Sequence, residues 1–76
     1  MSHYDIYKLF ELHMPSYAGE KVEIWFPNGR NSIRVRHWNR EEFIFTFNNP
    51  KDWRFETIDS YINHFRKENK NVRKRS

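Results

Sequence analysis

Between residues 21 and 56 the chain alternates apolar and polar side chains with a period of two. That is the side-chain period of a β-strand buried on one face. In residues 21–26, Val22, Ile24 and Phe26 point one way, while Lys21, Glu23 and Trp25 point the other. Asn28-Gly29 follows, a dipeptide suited to the positive φ of a tight hairpin. The next run sets Ile33, Val35 and His37 against Arg34, Arg36 and Trp38, and a third sets Phe43, Phe45 and Phe47 against Glu42, Ile44 and Thr46. Asn49-Pro50-Lys51-Asp52 has turn chemistry, and residues 53–56 form a short fourth strand with Trp53 and Phe55 on the phenylalanine face. The expectation is an antiparallel meander of three to four strands.

The turns set the expected register. A two-residue loop at Asn28-Gly29 pairs Ile24 with Ile33, Val22 with Val35 and Glu23 with Arg34. A three-residue loop at 39–41 pairs Val35 with Phe45 and Ile33 with Phe47. A loop at 48–52 pairs Phe47 with Trp53 and Phe45 with Phe55. Each pairing keeps apolar residues on one face, as it must, because a one-residue slip turns a whole strand over.

Helices flank the strands. Over residues 2–14, Ser2 with Asp5 reads as a capping box. Ile6, Leu9, Phe10 and His13 recur at helical spacing, and Pro15 stops the helix. After the strands, Thr57 is the expected N-cap of a helix whose stripe is Ile58, Tyr61, Ile62 and Phe65. The fold class is α+β. The expected arrangement is a two-layer sandwich with both helices on the one apolar sheet face and the other face in water. Phe45, Ile62 and Phe65 are then expected to be buried together.

The 76 residues allow one small domain, read as residues 1–69 with a basic, disordered tail at 70–76. Aromatics are 18% of a chain only 37% hydrophobic, so the core must be built from a few large rings. There is no cysteine, which excludes disulfides, thiolate metal sites and cysteine nucleophiles. No apolar run has the length of a spanning helix or a signal peptide, and a cytoplasmic location is the default expectation.

Charge is segregated along the chain. Residues 66–76 carry six cations against the single carboxylate of Glu68, a net +5, while residues 1–65 carry eight cations against nine carboxylates, a net −1. The functional reading of the basic run is an arm that seeks phosphates through Lys70, Arg73, Lys74 and Arg75 among others. Its plainer reading is a solubilising end. The expected open sheet face is the second candidate, with Trp25, Arg34, Arg36, Trp38 and Arg54 as residues that stack bases or meet phosphates. Three glutamates on that face, Glu23, Glu42 and Glu56, argue for a solvated, ion-paired surface instead. The same tryptophans and arginines also suit a protein interface.

The order helix, strands, helix resembles that of double-stranded RNA-binding domains in topology. The second helix of that family opens with a lysine cluster, whereas the matching segment here, Glu56-Thr57-Ile58-Asp59-Ser60, is acidic. No residue motif of the family is present. The size and absence of cysteine also suit small proteins encoded by phages and mobile elements.

An enzyme is not expected. The four histidines, His3, His13, His37 and His64, show no metal-ligand spacing, and no phosphate-cradling glycine loop or paired carboxylate is present. A His13/His64 acid–base pair is the one catalytic arrangement worth testing against a structure, and His37 reads as a rim or core histidine. No cofactor is expected. Two functions remain. The first is a nucleic-acid-binding module using the basic tail and the Trp/Arg face. The second is a protein-interaction module, a small regulator or inhibitor, docking through the same face. A homodimer through a sheet edge or the tryptophan face is a further expectation.

Overall fold

The structure is a computed structural model and describes residues 1–64. The basic run, the tail expected at 70–76 and Phe65 lie outside the described residues. The architecture is mixed α+β: an N-terminal helix, a four-stranded antiparallel sheet in the order β1-β2-β3-β4, and a C-terminal helix. Helix α1 spans His3–His13; the strands are β1 (Val22–Pro27), β2 (Ser32–His37), β3 (Glu42–Asn49) and β4 (Asp52–Thr57). Helix α2 occupies residues 58–64 of the described chain.

Helix α1 starts where the sequence places it. The Ser2 hydroxyl accepts from the Asp5 backbone N–H at 3.1 Å, and the Asp5 carboxylate accepts from the Ser2 N–H at 3.1 Å. Two of the four orphan donors at the helix start are thereby satisfied. The last turn closes at Met14, ahead of Pro15. Two short 3₁₀ turns, Pro15–Tyr17 and Gly19–Lys21, then carry the chain into β1.

Phe43, Phe45 and Phe47 on β3 form the middle of the core face. In register, Phe45 lies between Ile33 and Phe55. Helix α1 lays Phe10 on this row, its ring 5.8 Å from both Phe45 and Phe55. Ile6, Phe10, Ile33, Val35 and Phe45 are fully buried. At the far end of the face, Tyr17 packs on Phe43 and Phe55. His37 is buried beside it and donates from Nε2 to the Tyr17 carbonyl at 2.8 Å, so it serves as a core histidine.

The β3–β4 register is the expected one, with Phe45 opposite Phe55 and Phe47 opposite Trp53. The β2–β3 register differs by two residues: Ile33 faces Phe45 and Val35 faces Phe43. The loop is Trp38-Asn39-Arg40, closed by the His37 N–H donating to the Glu41 carbonyl at 2.8 Å, with Arg40 at φ 77°. A shift of two preserves faces, so alternation alone does not distinguish the registers.

β1 departs further. A bulge between Val22 and Ile24 adds one residue to the strand, and Trp25 then faces Val35 while Phe26 faces Arg34. The two-residue turn is replaced by a loop closed by the Asn28 N–H on the Ser32 carbonyl at 2.9 Å, with Gly29 at φ 94°. The bulge reverses the strand's phase. Trp25 moves to the core face and stacks on Tyr7 at 4.8 Å, while Ile24 is left exposed. The larger ring gains more from burial than isoleucine does.

The two helices do not share a sheet face. Thr57 caps α2 as expected, accepting from the Ser60 N–H at 3.1 Å. The helix follows β4 with no intervening loop, and Ser60 and His64 both bond to Glu56. Glu56 is opposite Ile44, on the face away from α1. Ile62 is 39% exposed and lies outside the core that contains Phe45. Nor does the second face lie open throughout, since Ser32, Ile44, Thr46 and Glu56 on it are buried.

This layering sets a contrast between two truncations. Phe45→Ala should cost roughly 3–5 kcal/mol, enough to leave a domain of this size largely unfolded. Ile62→Ala should stay within about 1 kcal/mol of the parent. Equal losses for the two variants in chemical denaturation would contradict the placement of α2.

Candidate binding surfaces

The five site candidates within the described residues separate on the structure. Arg34, Arg36 and Arg54 stand on the second face as expected. Trp25 does not, because the bulge turns it into the core. Trp38 leaves the sheet altogether: it sits in the β2–β3 turn, 65% exposed, and its backbone N–H donates to the Lys21 carbonyl at 3.1 Å. Lys70, Arg73, Lys74 and Arg75 lie outside the described residues.

The three arginines are held by carboxylates of the same face. Glu42 accepts from Arg34 Nε at 2.5 Å and from Arg36 Nε at 3.2 Å. The expected Glu23–Arg34 pair gives way because Glu23 falls in the bulge. Arg54 Nε donates to Glu56 Oε2 at 3.1 Å. The second oxygen of Glu56 accepts from the Ser60 hydroxyl at 3.1 Å and from His64 Nδ1 at 2.8 Å. Glu42 and Glu56 therefore each hold two basic side chains, and Glu56 also ties α2 to the sheet.

A polar cleft of about 280 Å³ lies on this face where α2 meets the sheet. Ser32 and Thr46, cross-strand neighbours, contribute to its lining from the sheet, and Arg54, Tyr61 and His64 line it too. Asn31 and Asn48 complete the lining, Asn31 donating to Asn48, and Asn48 to Asp52 at 3.0 Å. Thr46 is 7% exposed, and its Oγ1 is the buried side-chain polar atom with no hydrogen-bond partner among the described residues. Sequence reasoning missed this site. Thr46 has the polar phase of β3, which reads as a solvated face, and Tyr61 belongs to an apolar stripe read as core.

A second hollow, about 380 Å³, is lined by Tyr17, Glu20, Lys21, His37, Trp38 and Glu41, together with Asn39. Lys21 is committed there, donating from Nζ to the Ser16 carbonyl at 2.8 Å.

The His13/His64 pair is ruled out by position. His13 stacks on Trp53 on the core face, its ring 4.6 Å away, whereas His64 bonds to Glu56 on the other face. No group of three His, Asp or Glu side chains among the described residues is placed to hold a metal ion. Among the described residues no helix is long and apolar enough to cross a membrane. Comparison with protein-family models, with curated proteins and with solved structures returned no match.

The Glu42 pair has a pH signature. The Arg34 hydrogen bond, chief among the interactions with Arg34 and Arg36, holds the Glu42 carboxyl below the ordinary glutamate range. A depressed folded-state value stabilises the fold above the unfolded value of about 4.3 and loses that effect as pH falls through the folded value. Parent and Glu42→Gln should therefore differ most in melting temperature near neutral pH and converge in acid. A gap that stays constant down to pH about 2 would mean that the carboxylate charge is not what Glu42 contributes.

Proposed function

We propose that the protein is a small nucleic-acid-binding module whose phosphate affinity comes from the cationic run at 66–76. The observation that carries this reading is the charge segregation: six cations against one carboxylate in that run, beside a remainder with eight against nine. Polyphosphate affinity scales with the cations that displace condensed counterions. The sheet arginines are poorly placed to add to it, since each already has a glutamate partner. Trp38 is the tryptophan of the candidate set that remains accessible to stack on a base. A cytoplasmic setting belongs to the same proposal.

A second reading is favoured by the paired arginines themselves. A face whose cations are neutralised suits a protein partner better than a polyanion. In that reading the protein is a small regulator or inhibitor, and Trp38 is the anchor. Self-association through β1 is the weaker of the partner expectations, because the bulge and Pro27 both disfavour strand addition at that edge.

Two variants measured over a salt series test these readings. Deleting residues 70–76 removes Lys70, Arg73, Lys74 and Arg75. Affinity for oligonucleotides of every sequence should fall together, and the salt slope should shrink by roughly 0.7–0.9 for each phosphate that is no longer neutralised. Trp38→Ala should cost about 1–3 kcal/mol for single strands and leave the salt slope in place. An unchanged slope after the deletion would sink the role of the run. If Trp38→Ala instead spares nucleic-acid binding and abolishes a protein complex, the second reading holds.

A further inference from the structure

The cleft between α2 and the sheet contains a feature that neither reading uses. Its lining includes Thr46, whose buried hydroxyl has no partner among the described residues. Buried hydroxyls nearly always find one, because leaving them unpaired is costly. Ser32, beside it in the register, does find one: its hydroxyl donates to the Asn28 carbonyl.

The remaining lining is rich in donors. Arg54 commits Nε to Glu56, leaving the two terminal amino groups of its guanidinium for another acceptor. Tyr61 brings a phenol, and His64 uses Nδ1 for Glu56, which leaves Nε2. The two carboxylates in this network are already satisfied. Asp52 accepts from Asn48, and Glu56 accepts from Arg54, Ser60 and His64. Glu56 does not line the cleft; it is a positioning residue that holds Arg54 and His64 side by side. A volume of about 280 Å³ admits a tetrahedral oxyanion with several waters, each water taking ~30 Å³.

We propose that this cleft is an oxyanion site that binds one phosphate group, with Arg54, Tyr61 and Thr46 as its donors. Thr46 Oγ1 is shielded from solvent. Rotation of χ1 to another staggered well moves the hydroxyl among the Cβ substituent positions, and a bound phosphate supplies the acceptor that the hydroxyl lacks. The phosphate can be free inorganic phosphate or the 5′ phosphate of a nucleic-acid strand, and the strand end as source rests on the function proposed above.

The experiment is an amide NMR titration of the full chain with inorganic phosphate, a 5′-phosphorylated oligothymidine and its 5′-hydroxyl counterpart. Inorganic phosphate should shift the amides of Ser32, Thr46, Asn48 and Tyr61 saturably. Thr46→Val should weaken that binding about tenfold or more while its melting temperature holds or rises, since the substitution replaces an unpaired hydroxyl with a methyl. Tyr61→Phe should also weaken it and does not depend on how the strand tolerates valine. No saturable shifts in the cleft, or parental affinity in both variants, overturns the oxyanion site. Of the two oligonucleotides, only the 5′-phosphorylated one should shift the cleft. Equal responses overturn the strand end as source, whatever inorganic phosphate does. Loss of oligonucleotide binding on deleting 70–76, with the phosphate response of the cleft intact, separates this site from the function assigned to the run.

Discussion

The row Phe43, Phe45 and Phe47 sets the phase to which the rest of the structure conforms. β3 is an inner strand, so its core face must match a neighbour on each side. Ile33 and Phe55 meet Phe45, and α1 closes the face by laying Phe10 across Phe45 and Phe55. Turning β3 over would expose three large rings at once, each carrying an area that a small domain cannot leave wet. β2 and β4 inherit the phase directly. β1 is an edge with one neighbour, so it can add a residue without disturbing a second partner. It does so at Glu23, and the result is that Trp25 is carried onto Tyr7.

What was legible in the sequence follows from the same constraint. Alternation reveals strands and faces, and it did so for β2, β3 and β4. Register needs the turns. The β3–β4 turn is marked by Asn49 and Pro50, and Phe45–Phe55 and Phe47–Trp53 form as read. The β2–β3 turn depends on Arg40 at φ 77°, a residue type with no left-handed signature. Asn28-Gly29 resembles a two-residue turn, yet only Gly29 takes positive φ and the loop runs on to Asn31. A bulge has no signature in the period itself. The stripe Ile58, Tyr61 and Ile62 correctly marks a helix, but a stripe does not name the face it meets. That choice is made by Glu56, through Ser60 and His64.

Electrostatics on the second face follow a simple division. Glu42 on β3 holds Arg34 and Arg36 of β2. Glu56 on β4, opposite Ile44 and so at the same end of the sheet, holds Arg54 and His64, its side chain 7% exposed. Charge is thereby neutralised where it is partly desolvated, as burial requires. Arginines at the turns, Arg30 and Arg40, stay exposed to water. The described part of the chain thus neutralises its own sheet face, and the unbalanced positive charge of the sequence lies at 66–76.

The two carboxylates are not equivalent in what depends on them. Glu42 joins neighbouring strands that the backbone ladder already pairs. Glu56 joins a helix to a sheet, and among the described residues no large side chain fills the space beside it over Ser32 and Thr46. That space is the cleft. Apolar residues at those two positions would have closed the layer as a second small core; a serine and a threonine leave it polar. Ser32 meets its own hydrogen-bonding need through the hairpin loop. Thr46 does not among the described residues, and a buried hydroxyl without a partner costs stability. The same helix placement that overturns the single-sided sandwich thus leaves a polar cleft on this face in place of a second apolar layer.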